Sequence, residues 1–108
     1  MKLKPSLKEK KRYILFEIVS GQNFSLDEVK SEAEKAWHAF LGDLGVSKAA
    51  PMFIKENYKN NKFIIKVSNK YTDEIKSALI LIKKIKNTPV IVKSMVTSGT
   101  IKKISSYL

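Results

Sequence analysis

Cysteine is absent from this 108-residue chain, which excludes disulfides, thiolate metal sites, iron–sulfur clusters and cysteine nucleophiles together. Histidine occurs once, at His38, too little for a histidine-rich metal cage or a histidine-based catalytic triad. Arginine also occurs once, at Arg12. No glycine-rich loop stands beside it, so a small phosphatase-type enzyme with an arginine-lined phosphate cradle, such as an acylphosphatase, is a poor fit. Long apolar runs are missing: Ala78-Leu79-Ile80-Leu81-Ile82 is the longest and is far too short to cross a bilayer. The basic N-terminus lacks the apolar stretch and small-residue cleavage site of a secretory signal. The expectation is a soluble, cytoplasmic protein with no membrane partner. Acidic residues are missing from Ile75 onward. Those that cluster earlier, Asp27 with Glu28 and Asp73 with Glu74, read as helix-start residues and not as a metal or catalytic pair. General acid–base chemistry has little to work with here, so no catalytic residue and no protein-bound metal or cofactor is expected.

What the chain does have is lysine, unevenly placed. Residues 1–12 carry a balance of +5, residues 75–108 a balance of +7, and residues 13–74 a balance of −1 within a total of +11. A neutral middle with cationic ends suits a polyanion-binding protein. Twenty of the 21 basic residues are lysine. Lysine meets phosphate as a flexible point charge, whereas the arginine fork reads guanine edges. The bias therefore favours backbone contacts over base readout, although a biased genome would also enrich lysine.

At this length, with 44% hydrophobic residues, the chain can bury one core but not two. Residues 1–12 read as a flexible basic arm interrupted by Pro5, and 13–108 as a single domain. Tyr13 to Val19 is β-branched and aromatic and stops at Ser20-Gly21, a strand. Ser25 and Glu28 have capping-box spacing, with Phe24 and Val29 as a hydrophobic staple. Leu26, Val29, Ala33, Ala36, Trp37, Phe40 and Leu44 then recur at helical spacing until Gly42 and Gly45 end the helix. His38 is one step off that stripe and Trp37 lies on it, in the core. Pro51–Tyr58 and Lys62–Ser68 read as strands joined through Asn60 and Asn61. Thr72 caps a second helix with a stripe of Ile75, Ala78, Leu79, Ile82 and Ile85, and Pro89 stops it. Val90–Thr97 is the fourth strand. Ser98-Gly99-Thr100 then opens a short amphipathic helix carrying Ile101, Ile104 and Leu108.

This order predicts an α+β fold: a ferredoxin-like or RRM-like βαββαβ sandwich. It has a four-stranded antiparallel sheet, two main helices on one face, and a short C-terminal helix. The fourth strand then lies beside the first and brings Lys8–Arg12 next to Lys102 and Lys103. Alternation assigns Ile14, Phe16, Ile18, Met52, Ile54, Phe63, Ile65, Val67, Val90 and Val92 to the helix-covered face. It assigns Tyr13, Leu15, Glu17, Phe53, Lys55, Ile64, Lys66, Ile91, Lys93 and Met95 to the other. That second face either stacks bases or meets a protein. Its aliphatic excess favours a protein interface, which we place on Tyr13, Leu15, Ile64, Ile91, Met95, Ile101 and Ile104. The candidate RNA-binding residues are Lys8, Lys10, Lys11, Arg12, Lys48, Lys66 and Lys93, together with Ser98, Gly99, Thr100, Lys102 and Lys103. Ser98-Gly99-Thr100 is either a backbone N–H cradle for phosphate or an ordinary helix cap. Roughly six to eight phosphate contacts would give a log–log salt slope on the order of −5.

Four segments in register, Lys11-Arg12-Tyr13-Ile14-Leu15-Phe16-Glu17-Ile18, Gly45-Val46-Ser47-Lys48-Ala49, Ser77-Ala78-Leu79-Ile80-Leu81-Ile82 and Ser98-Gly99-Thr100-Ile101-Lys102-Lys103, resemble one family. It is protein component 2 of archaeal ribonuclease P, which shares ancestry with a eukaryotic ribonuclease P/MRP subunit. One departure is Lys66, where the family usually has arginine. The resemblance implies a noncatalytic subunit of the ribonucleoprotein that removes 5′ leaders from precursor tRNA. The RNA is then the catalyst and holds the Mg²⁺. The resemblance also implies contact with ribonuclease P RNA and precursor tRNA, pairing with protein component 3, and a homodimer within a heterotetramer as one allowed arrangement. The rival reading is a generic basic RNA-binding protein of ribosomal or RNA-chaperone type.

Overall fold

The computed structural model describes residues 10–108; the expected arm residues 1–9, Lys8 among them, lie outside the described residues. The elements are β1 (Lys11–Val19), α1 (Leu26–Ala49), β2 (Met52–Lys59), β3 (Lys62–Ser68), α2 (Thr72–Ile80), β4 (Lys84–Ile85), β5 (Thr88–Pro89), β6 (Ile91–Ser98) and α3 (Ile101–Ser105). The sheet runs β2-β3-β1-β6 and is antiparallel throughout, with β4 and β5 forming a separate small hairpin. This is the ferredoxin-like order, with β6 beside β1 as expected.

Central strand β1 is buried on both faces. Ile14, Phe16 and Ile18 pack under α1 and α2 with Phe63, Ile65, Val67, Trp37, Ile75 and Leu79. Leu15 joins Ile64 and Ile104 in a second cluster beneath α3. Rings of Phe16 and Phe53 stack on either side of Phe63 at 5.3 and 5.4 Å. The face expected to lie open is therefore roofed by the C-terminal helix.

The capping box is present: Ser25 Oγ accepts from the Glu28 N–H and Glu28 Oε1 accepts from the Ser25 N–H at 2.9 Å. The helix does not stop at its glycines. Gly42 adopts φ 70°, ψ 174°, a conformation open almost only to glycine, and the helix bends there and resumes to Ala49. Gly45 sits inside the resumed piece, where a Cβ would fall 2.8 Å from Leu41 Cβ. The expected stripe fails on either side of the bend, where Phe40 and Leu44 are exposed, while Leu41, Val46 and Ala49 pack on the core.

Strand β2 is out of phase with the expectation. Phe53 points into the main core, while Ile54 packs on the α3 side and Met52 is exposed. Met52-Phe53-Ile54 is apolar on both sides, so alternation could not fix its register. The aromatic stack on Phe63 does so.

Helix α2 ends at Ile80. Thr72 does not cap it: its hydroxyl donates to the Asn69 carbonyl, and no side chain caps that terminus. Ile85 is buried from the β4–β5 hairpin, whose turn residues Lys86 and Asn87 have φ of 48° and 67°. Pro89 disfavours helical geometry at Thr88. The β2–β3 turn is similar, with φ 51° at Asn60 and 61° at Asn61. The Asn61 side chain is buried, accepting from the Phe24 N–H and Tyr58 hydroxyl and donating to the Gln22 carbonyl.

Candidate nucleic-acid interface

The antiparallel register gathers several chain segments at one end of the sheet. Met52 lies opposite Lys66, Lys66 opposite Tyr13, and Tyr13 opposite Ser98. The start of β1, the end of β3, the end of β6 and the start of α3 therefore share that end. The C-terminal turn of α1, which leads directly into β2, joins them on the helical side. Lys10, Lys11, Arg12, Lys48, Lys102 and Lys103 all belong there.

The closest link is between Arg12 and the β6–α3 corner. The Arg12 guanidinium lies 3.3 Å from where a Cβ on Gly99 would stand, and it donates to the Lys11 carbonyl. Lys10 is tied in through its carbonyl, which accepts from the Asn69 N–H at 2.8 Å. Lys70, in the short 3-10 turn Asn69–Tyr71, joins the same end. Sequence reasoning passed over it, because residues 69–71, between the third strand and the second helix, were given no place in the surface. Lys66 holds its ammonium 6.0 Å from the Tyr13 ring centroid.

Among the described residues the ion pairs are Lys30–Glu34, Lys35–Glu32 and Lys86–Glu28, and none uses a cation of this end. Asp73 and Glu74, in the first turn of α2, bring negative charge to its helical side only. The remaining surface keeps unneutralised positive charge, with Lys102 and Lys103 exposed.

Other lysines are placed elsewhere, Lys93 of the expected RNA-binding set among them. Lys93 lies opposite Glu17, four residues along β1 from Tyr13 and so roughly 13 Å away. Glu17 also faces Lys62 on its other side, so this row is partly balanced. Lys55 follows the shifted phase of β2 and leaves the face that carries Lys66. Lys83, Lys84 and Lys86 sit near the start of β6, at the far end.

Ser98, Gly99 and Thr100 form a cap more than a phosphate cradle. The Thr100 N–H donates to Ser98 Oγ, and the Lys103 N–H donates to Thr100 Oγ1. A shallow groove nevertheless opens here, lined by Val96–Thr100, Lys102, Lys103, Ser106 and Tyr107.

The expected protein interface needs correction. Leu15, Ile64 and Ile104 are fully buried within the chain, with Tyr13 and Ile101 packed against them. Only Ile91 and Met95 of that set are exposed, along the edge strand β6. Exposed apolar surface lies instead in a groove of about 400 Å³ between α1 and α2, which includes Phe40 and Leu81. Sequence reasoning missed this because it assigned Phe40 to the core. Among the described residues no group of three His, Cys, Asp or Glu side chains could hold a metal ion, and no helix is long and apolar enough to cross a membrane.

The profile of the Rpp14/Pop5 family matches residues 12–108. Ribonuclease P protein component 2 of Pyrococcus abyssi is 39% identical, covering 96% of this chain and 91% of the relative. The protein of the same name from Thermococcus kodakarensis is 36% identical, covering 94% and 85%. A chain in a cryo-EM structure of yeast ribonuclease MRP superposes with a TM-score of 0.68 at 14% identity, covering 86% of this chain and 76% of that one. At that identity the likeness is one of fold.

Proposed function

The chain belongs to the Rpp14/Pop5 family, and from that premise we propose that it is a protein subunit of ribonuclease P, the ribonucleoprotein that removes 5′ leaders from precursor tRNA. The carrying observation is the match to archaeal component 2 proteins along nearly the whole chain, at 36–39% identity. Catalysis belongs to the RNA and its Mg²⁺. This subunit supplies positive charge where folded RNA crowds its phosphates, and the released counterions favour binding. The end of the sheet holding Lys10–Arg12, Lys102 and Lys103 is the RNA-binding surface. Protein component 3 is the partner subunit, and it docks on exposed apolar surface away from that end.

The test is reconstitution. Ribonuclease P RNA, component 3 and this chain should together cleave precursor tRNA faster than the same mixture lacking this chain. Lys102→Ala/Lys103→Ala should weaken its RNA affinity by about ten-fold or more at physiological salt. A chain that leaves cleavage unchanged in the presence of RNA and partner, while binding unrelated RNAs equally well, would instead be a general basic RNA-binding protein.

A further inference from the structure

Helix α3 is amphipathic in a way that the charge argument does not use up. Ile101 and Ile104 turn into the sheet against Leu15 and Ile64. The outward side of α3 then carries Lys102 and Lys103, and with Ser106 and Tyr107 from the turn that follows the helix they line one groove. The Tyr107 side is held near β3 because its carbonyl accepts from Lys62 Nζ at 3.3 Å, yet Tyr107 remains 54% exposed. The end of β6, from Val96 to Ser98, forms the facing wall, with Val96 as apolar floor. Among the described residues no carboxylate lines this groove.

An exposed aromatic ring beside paired ammonium groups, over an aliphatic floor, fits a strand whose bases are unstacked. Bases in a duplex already stack on each other and present only phosphate and groove edges, whereas an unpaired base can lie on a ring while its phosphate meets lysine. We infer that the β6–α3 groove binds an unpaired RNA segment, with a base stacked on Tyr107 and the flanking phosphates on Lys102 and Lys103. This rests on the RNA-subunit reading and adds to it the form of RNA that the site takes. The inference does not use the helix start, where the Thr100 and Lys103 N–H groups already donate to Ser98 Oγ and Thr100 Oγ1.

The experiment measures binding of the full chain to labelled oligouridylate, to duplex RNA of equal length, and to an oligoglutamate peptide. Oligouridylate should bind more tightly than the duplex. Tyr107→Ala should weaken oligouridylate binding roughly five- to 150-fold while changing duplex binding less than two-fold, and Tyr107→Phe should restore it. Unchanged oligouridylate affinity in Tyr107→Ala, with Lys102→Ala/Lys103→Ala still impaired, would overturn the stacking site and leave the RNA-binding surface standing. Failure of the wild-type chain to bind either RNA would overturn both. Peptide binding that depends on Tyr107 and exceeds RNA binding would make the groove a protein site and overturn the inference.

Discussion

Single residues hold this fold at places where the chain has no alternative geometry. Asn61 combines a left-handed φ of 61° with three side-chain hydrogen bonds, one buried and two partly buried. Asn61→Ala would strand the Phe24 N–H and Gln22 carbonyl, each costing about 1–3 kcal/mol, so a loss of about 3 kcal/mol in urea unfolding is expected. Gly45 and Gly21 form a matched comparison: a Cβ at Gly45 meets Leu41 at 2.8 Å, and one at Gly21 meets nothing within 4 Å. Gly45→Ala should destabilise by about 1–3 kcal/mol and Gly21→Ala should be near neutral in the same assay. Titration adds a further test. The Ser25 backbone N–H, and then Lys86, hold the Glu28 carboxyl below its ordinary value of 4.5. Folding thus favours the charged form, and that increment is present above pH 4.5 and lost as pH falls through the depressed value. Glu28→Gln keeps a side chain able to close the capping box and should flatten the acid limb of the stability–pH curve. Burial raises the Tyr58 hydroxyl, so its contribution is present at neutral pH and lost as pH rises past the ordinary phenol range.

At the scale of elements, α3 is the least self-sufficient piece, five residues long and held chiefly by Ile104. Ile104→Ala should cost about 2–4 kcal/mol, while Ile91→Ala, at a side chain 61% exposed, should change stability by less than about 0.5 kcal/mol; thermal midpoints of the two variants settle this. Most elements were legible from local signals: the Ser25–Glu28 box, the β-branched first strand, the two-asparagine turn. Three features were not. The phase of β2 depends on which side Phe53 finds another ring, a tertiary matter. The bend at Gly42 and a stop at Gly42 look alike in sequence, since both need glycine. The β4–β5 hairpin hides in a helical spacing, because Ile82 and Ile85 lie three apart whether the chain coils or turns back.

For the molecule as a whole, the consequence of topology is that charge is divided between two ends. The expected meeting of Lys8–Arg12 with Lys102 and Lys103 followed from strand order alone, and within the described residues Arg12 lies against Gly99 at the β6–α3 corner that leads into them. Lys93 lies opposite Glu17, away from that end, Lys55 leaves its expected face with the shifted phase of β2, and Lys70 was overlooked because its turn was not read as part of the surface. The exposed apolar groove beside Phe40 and Leu81 is the counterpart on the helical side. Leu81→Glu should lower affinity for the partner subunit at least ten-fold, measured by calorimetry, without altering RNA affinity. The most direct test compares equal charge removed from opposite ends. Salt titrations of RNA binding should show that Lys102→Ala/Lys103→Ala reduces the log–log slope by roughly 1.5–2, while Lys83→Ala/Lys84→Ala leaves it unchanged. Equal slopes in the two variants would mean that only net charge matters, contradicting a binding surface gathered at one end of the sheet.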